Sequence, residues 1–444
     1  MAVIKEFSGY RYDTEKCADL KKVMAVPYDV MNDEQRDEFY NNSEYNIARI
    51  SNGKIEDNDN DENNRYKKAE NFFEQWIKDG VLKKETKPAM YLYEQHSIYK
   101  NTVFVNHGVV VLLKLEELDG KGSIKVCEEM KSDFMEDRLK LLSNVKANVD
   151  MIHCMYIDSE RPLTHLMNEI SEETPDIGFE MRESVTDENT QNRLWVIDNE
   201  NVIKFIKDSL KKTELIITEG QNRYRAALKY MKECRDKNPD HTGEEPYNYV
   251  MAFLNNAYGD NLVQIPIHRV IKSEKKFSQD YFIACAQDHF KVEKIIIDTS
   301  NDDLIETMKK QIETSRRKCI IGVYFGGNYF YRLTLTDEAY IKNLLPTHSD
   351  EYCMLDVTVL NNLLLGEILN IDKDNSEEYV SFTKRTTNGV KWVNDGEATC
   401  LFVLNASKAE RIFEVVESGE TMPEHSIYIF PRAVTGVVIN RIDE

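Results

Sequence analysis

Leu215-Ile216-Ile217-Thr218-Glu219-Gly220-Gln221-Asn222-Arg223-Tyr224-Arg225-Ala226-Ala227-Leu228-Lys229-Tyr230 reads as a strand, a one-glycine turn and a helix. Leu215 to Ile217 form a short aliphatic run of the kind a buried strand needs. Gly220 supplies the free dihedrals of a tight turn. Tyr224, Ala227, Leu228 and Met231 recur at helical spacing, which places a helix start at Gln221 or Asn222. A helix start bares unpaired N–H groups and carries partial positive charge, so it suits a phosphate or carboxylate. Asn222 and Arg223 fall in that first turn, where a guanidinium can grip an oxyanion with two parallel bonds. By spacing alone the same stretch also fits an ordinary strand–helix turn carrying a surface arginine.

Working outward, the residues upstream alternate between strands and helices. Ala2 to Phe7 reads as an opening strand, and Pro27-Tyr28-Asp29 as a strand end or rigid turn, because proline fixes φ and removes a donor. Asn32-Asp33-Glu34-Gln35 offers a capped helix entry. Residues 55–64 form an acidic, solvated loop. Tyr66, Ala69, Phe72, Phe73, Trp76 and Ile77 make one helical face, closed by Gly80. Ala89 to Gln95 and Val103 to Leu115 read as a hairpin joined near Lys100-Asn101. A helix is expected from about Phe134 to Leu142, and the apolar run Met151 to Ile157 holds His153 as a packed core residue. The polar segment 158–203, with short helical and strand patches, reads as a cover or an insertion.

From about Ser273 the character changes to a separate α+β segment. It carries helices over Phe277–Phe290, Leu304–Thr314 and Met354–Leu369, and a hairpin across Gly326-Gly327-Asn328. The fold class is therefore α+β, mixed α/β, with two domains expected at 1–272 and 273–444. His268 and Arg269, at a sheet end, are either site residues or structural.

Composition narrows the function. The 57 Lys and Arg against 78 Asp and Glu leave a net charge of -21, which opposes the cationic neutralisation of phosphates on which nucleic-acid affinity rests. No apolar run approaches the roughly 20 residues of a membrane span, and the first residues show no signal-peptide pattern. A cytoplasmic location and a small-molecule partner are expected, with neither nucleic acid nor membrane. The eight cysteines are scattered with no Cys-x-x-Cys pair, so neither a zinc site nor a disulfide framework is expected.

Gly220-Gln221-Asn222-Arg223-Tyr224-Arg225-Ala226-Ala227 resembles the Gly-Glu-Arg-Arg-x-Arg-Ala phosphate-binding box of the ParB/sulfiredoxin-like superfamily. More closely, the chain resembles one bacterial family of that superfamily, the domain-of-unknown-function family number 1015. Further blocks follow its pattern in order: Val26-Pro27-Tyr28-Asp29-Val30, Tyr45-Asn46-Ile47-Ala48-Arg49, Glu136-Asp137-Arg138-Leu139, Glu245-Pro246-Tyr247-Asn248-Tyr249-Val250-Met251, and Met422-Pro423 through Thr435-Gly436. Related free-serine kinases use the equivalent site to handle nucleotide phosphates and serine. The resemblance thus implies a ParB/sulfiredoxin-like core with insertions and magnesium-dependent phosphoryl transfer from ATP or ADP to a small amino acid, such as serine.

Carried onto this chain, that implies phosphate on Gly220, Gln221, Asn222, Arg223 and Arg138. Magnesium would lie on Glu128, Glu136 and Asp137, and Glu219, Asp29 or Asp137 would act in catalysis. Family members carry Asp-Gly-His-His-Arg where this chain has Glu219-Gly220-Gln221-Asn222-Arg223. They carry His-Glu-Arg where it has Cys127-Glu128-Glu129, and lysine where it has Met135. Gln and Asn hold phosphate but carry no proton. The resemblance therefore leaves two readings, an enzyme with altered proton chemistry and a ligand-binding or regulatory paralogue without turnover.

Overall fold

The computed structural model describes every residue except 129–133, 184, 259–261, 298–300, 314–317 and 444, together with the backbone alone of 301 and 302. Met130–Ser132 and Asp133 of the acidic stretch before Arg138, with Glu129, lie outside the described residues. Two units pack separately. The first comprises Met1–Val126, Met130–Val263 and Phe430–Glu444, and the second Cys127–Glu129 with Gln264–Ile429.

In the first unit, β1 (Ile4–Lys5), α1 (Asp33–Asn42) and α2 (Arg65–Lys78) precede the hairpin of β2 (Met90–Tyr99) and β3 (Thr102–Lys114). There follow β4 (Ile124–Val126), α3 (Met135–Val145), β5 (Ile152–Tyr156), β6 (Ile177–Arg182), β7 (Asn189–Ile197), β8 (Leu215–Glu219), α4 (Gln221–Lys237) and β9 (Tyr249–Asn256). The strands join into one nine-stranded sheet in the order β4-β8-β5-β9-β3-β2-β7-β6, with β1 added on β3. The pairs β4–β8 and β5–β9 are parallel.

Local chemistry explains the elements. Asn32 caps α1 by accepting from Gln35 N–H, and Gln35 returns a bond to Asn32 N–H. The hairpin closes from Tyr99 to Thr102 over Lys100 and Asn101, both at positive φ, the backbone twist that two-residue hairpins favour. Central β3 is buried on both faces: Val110 and Leu112 enter one apolar cluster, while Val109, Val111 and Leu113 enter the other. His153 is a packed core residue, as its apolar run implies: Nε2 donates to Asn255 Oδ1 at 2.8 Å and Nδ1 lies 2.5 Å from Thr218 Oγ1.

The strand patches of the polar segment 158–203 are β6 and β7, and β7 pairs with β2 from Gln191 to Ile197. The segment's polarity has a simple cause. β6 is an edge strand whose residues alternate between buried and exposed, so half of them face solvent. The acidic loop 55–64 forms no helix or strand, and Lys68 ties it down through Glu56 at 2.8 Å and Asp59 at 2.6 Å.

The second unit holds an antiparallel six-stranded sheet. Its elements are β10 (His268–Lys272), β11 (Phe290–Ile296), α5 (Asn301–Ile312), β12 (Ile320–Tyr324), β13 (Tyr329–Leu335), β14 (Val380–Thr383), α6 (Thr386–Asn394), β15 (Ala398–Val403) and α7 (Ala409–Glu417). The strand order is β11-β13-β12-β15-β10-β14. The expected helix over Met354–Leu369 is α-helical only at Asp356–Val359. It continues in the wider π form over Leu360–Ile368, where the adjacent Leu363, Leu364 and Leu365 are all buried. The architecture is α+β. Among the described residues no helix is long and apolar enough to cross a membrane.

Gly108 of β3 leaves no space for a side chain against β9. A Cβ there would stand 2.3 Å from Leu254 O and 2.9 Å from the Phe253 ring. Gly108→Ala is therefore expected to cost about 1–3 kcal/mol, read as a lower urea midpoint. An unchanged midpoint would contradict the β3–β9 pairing.

Candidate functional site

The site begins where β8 ends. All five residues of β8 are buried, Gly220 turns the chain at φ 81°, and α4 starts at Gln221. A side chain at Gly220 would meet Arg223 Nε at 2.9 Å and Ile152 Cγ2 at 3.0 Å, so glycine is required there for space as well as conformation. Gly220 offers no side-chain cap to α4. Gln221 and Asn222 are buried in its first turn, and among the described residues Asn222 Oδ1 has no hydrogen-bond partner.

Glu219 lies beside this turn, 7% exposed. Its Oε2 is 2.9 Å from Arg432 Nη1, whereas Oε1 has no hydrogen-bond partner among the described residues. The same Arg432 nitrogen is 3.5 Å from Asp29 Oδ2. Burial pushes the Glu219 carboxyl up to about 7, outweighing the pull of Arg432 in the other direction. Nearby Glu183 is also driven up to about 7 by burial. Asp29 itself is exposed, so the carboxylate at the rim and the one in the interior share one guanidinium.

Arg432 reaches this point because the chain's last segment returns to the first unit. Thr435 N–H donates to Ala25 O at 2.9 Å, Ile439 N–H donates to Tyr10 O at 2.9 Å, and Asn440 pairs with Asn148. Gln95 Nε2 donates to the Arg432 carbonyl at 3.0 Å.

A second group adjoins through Tyr28. Its ring lies under Arg138, 3.8 Å from the guanidinium carbon, and 5.7 Å from that of Arg223. Arg138 donates from Nη1 to Ser51 O at 2.8 Å and from Nε to Asp137 Oδ2 at 2.8 Å. Asp137 also accepts from Tyr66 Oη at 2.7 Å and from Arg65. Burial works against its ionisation, but Arg138, Tyr66 and Arg65 prevail and hold the carboxyl below its usual value. Arg223 donates from Nη1 to Met151 O at 2.9 Å and lies 4.0 Å from Asp150 Oδ2. Asp150 in turn accepts from Thr435 Oγ1. Arg138, Asp150 and Arg223 line a cavity of about 40 Å³, several times the roughly 10–15 Å³ one water needs.

Of the residues singled out from sequence, Asp29, Glu219, Gly220, Gln221, Asn222 and Arg223 gather at the start of α4, with Asp137 and Arg138 joined through Tyr28. Each acid of the expected magnesium set has a partner within its own unit. Glu136 is exposed and pairs with Lys229 at 2.6 Å. Asp137 is occupied by two arginines and a tyrosine. Glu128 belongs to the second unit, where its Oε1 accepts from Ser426 N–H at 2.5 Å and burial pushes its carboxyl up to about 7. Among the described residues no three acidic, histidine or cysteine side chains converge as metal ligands. His268 and Arg269 also belong to the second unit, where His268 Nε2 lies 3.0 Å from Thr386 Oγ1.

Sequence reasoning missed Tyr28, Asp150, Glu183 and Arg432 as site residues. Tyr28 and Arg432 lie inside blocks that carry the family resemblance, which was their only signal. Asp150 and Glu183 had none.

The chain belongs to the family described as Protein of unknown function (DUF1015), whose model matches residues 4–358. No curated protein matches it. Among solved structures it is similar to a conserved hypothetical protein from Pyrococcus furiosus, at 11% identity and TM-score 0.31, covering 72% of this chain and 90% of that one. It is also similar to a free serine kinase in complex with AMP, at 10% identity and TM-score 0.34, covering 72% and 86%. SbnI with a C-terminal truncation, from Staphylococcus aureus, matches at 12% identity and TM-score 0.35, covering 73% and 85%.

The raised Glu219 carboxyl sets a sign for stability against pH. A carboxyl that titrates near 7 folded and near 4.5 unfolded binds more protons when folded. Its contribution is complete below about 4.5 and is lost as pH rises through about 7. His153, lowered to about 4 by burial, works in the opposite sense. The comparison with Glu219→Gln isolates the carboxyl. Between pH 5 and 7.5 the wild type should lose on the order of 1–3 kcal/mol relative to that variant, measured by urea unfolding. Parallel curves would show that Glu219 titrates normally.

Proposed function

We propose that the first unit handles a phosphate group on a small molecule, as a nucleotide-dependent phosphotransferase-like protein acting on a small amino acid such as free serine or phosphoserine. In this reading the protein is cytoplasmic. A ParB/sulfiredoxin-like core with insertions occupies 1–272, and an α+β domain follows at 273–444. The observation that carries the reading is the juxtaposition of a proton carrier and oxyanion donors. The buried Glu219 carboxyl, at about 7 and ion-paired to Arg432, directly precedes a helix start without a side-chain cap.

The chemistry assigned to each group is direct. The first-turn N–H groups of α4 and the Arg223 guanidinium receive phosphate oxygens, with Arg138 across the small cavity. Glu219 accepts the substrate hydroxyl proton while that oxygen bonds to phosphorus and the bond to the leaving phosphate breaks. Arg432 keeps the carboxylate available near neutral pH and holds it in place. Gln221 and Asn222 donate hydrogen bonds but move no proton, which leaves the proton to Glu219. The small cavity lined by Arg138 and Arg223 would receive the phosphate end of a nucleotide, and Glu128, Glu136 and Asp137 are the acids that the resemblance implies for magnesium.

A second reading, a ligand-binding or regulatory paralogue without turnover, draws support from one feature. Asp137 is locked by Arg65, Tyr66 and Arg138 and is in no position to act on a substrate. A DNA-binding role is disfavoured by the net charge of -21.

Calorimetric titration with ADP, ATP, serine and phosphoserine, followed by phosphorus NMR, separates these readings. The phosphotransferase reading expects a phosphorylated ligand to bind at least tenfold more weakly to Arg223→Ala, since a charge-assisted bond is worth about 1.5–3 kcal/mol. It also expects transfer to slow roughly 100-fold or more in Glu219→Gln. Binding without transfer selects the regulatory reading, and no binding at all rejects both.

A further inference from the structure

The second unit contains a cavity of its own, about 320 Å³, within the roughly 300–1,000 Å³ range of small-molecule sites. All of its lining residues lie between Ile267 and Ser426, so it is built wholly by the second unit. β10 contributes Arg269, the segment after β15 contributes Leu404 and Lys408, and the short helix Asp356–Val359 contributes Asp356 and Val357.

Arg269 is 2% exposed, among the largest fully buried side chains of the protein. Nη1 donates to Ile267 O at 2.6 Å and Nη2 to Glu424 O at 3.2 Å, and the guanidinium lies 5.3 Å from the Phe382 ring. Nε has no acceptor among the described residues. Nε is itself shielded, so what Arg269 brings to the cavity that it lines is its buried positive charge. Burial lowers this guanidinium to about 10 against the opposing pull of Glu128.

Asp356 supplies the opposite polarity. Its Oδ2 accepts from Asn405 Nδ2 at 3.2 Å, the Cys319 thiol and the Asn405 backbone also bond to the carboxyl, and burial pushes it up to about 6. Lys408, exposed, precedes α7 and gives that helix no side-chain cap, so the helix start adds partial positive charge. Leu404 and Val357 give the wall an apolar stretch.

We infer that this cavity is a second binding site, for a small carboxylate that also carries a hydroxyl or ammonium donor: a hydroxy acid or amino acid with a compact apolar body. The carboxylate is drawn by the charges of Arg269 and Lys408 on the cavity wall. The donor bonds to Asp356, and the apolar body lies on Leu404 and Val357. The site is independent of the phosphate site in the first unit.

The test is calorimetric titration of the full chain with four probes of similar size: 2-hydroxyisocaproate, leucine, isocaproate and isoamylamine. The hydroxy acid or the amino acid is expected to bind at least tenfold more tightly than isocaproate, which lacks the donor, and isoamylamine, which lacks the carboxylate. Ala406→Trp, which fills the cavity, and Lys408→Glu, an exposed change, should each weaken binding at least tenfold with unchanged circular dichroism. Arg223→Ala in the first unit should leave it unaltered. Equal binding of all probes, no binding, binding that survives both cavity variants, or binding lost in Arg223→Ala would overturn the inference.

Discussion

One guanidinium organises the first unit's site. Arg432 sits between Glu219 at the end of β8 and Asp29 in the Pro27-Tyr28-Asp29 turn, and it arrives from the last segment of the chain. Three distant parts of the sequence therefore meet at one charge. Removing one partner of a buried pair leaves the other unpaired, a loss of about 3–5 kcal/mol. The pairing of Thr435 with Ala25 and of Ile439 with Tyr10 fixes the segment that delivers Arg432. Glu219 gains its unusual proton affinity from the same enclosure, because the burial that hides the pair also disfavours the charged carboxyl.

Local features of the fold were legible because they depend on neighbours in sequence. The strand–glycine–helix at Leu215–Tyr230, the α1 cap at Asn32 and the two-residue turn at Lys100-Asn101 each follow from side-chain chemistry within a few positions. The nature of 158–203 was harder to read, since an edge strand with a solvated face looks like a polar linker. The π-helical turn after Val359 carries no pattern that separates it from an α-helix.

The candidate site divides along the same line. Glu219 to Arg223 are contiguous and could be read together. Arg432 is more than two hundred residues away, and only the ordered family blocks pointed to its segment. Lys229 and Arg65, which pair with Glu136 and Asp137, are distant in sequence and cannot be seen from local spacing, whereas Arg138, which also pairs with Asp137, is its neighbour. Gln221 and Asn222 carry no titratable proton, so Glu219, raised by burial, is the group beside this turn that titrates near neutrality.

The coupling between Arg432 and Glu219 is the most direct test of this account. A double-mutant cycle of Arg432→Met, Glu219→Gln and the double variant, read by urea unfolding at pH 7.5, measures it. The account predicts a coupling of about 1 kcal/mol or more, within the range of contacting charged residues. Additivity to within about 0.3–0.5 kcal/mol would mean that the two groups do not interact and that the site is not built around Arg432.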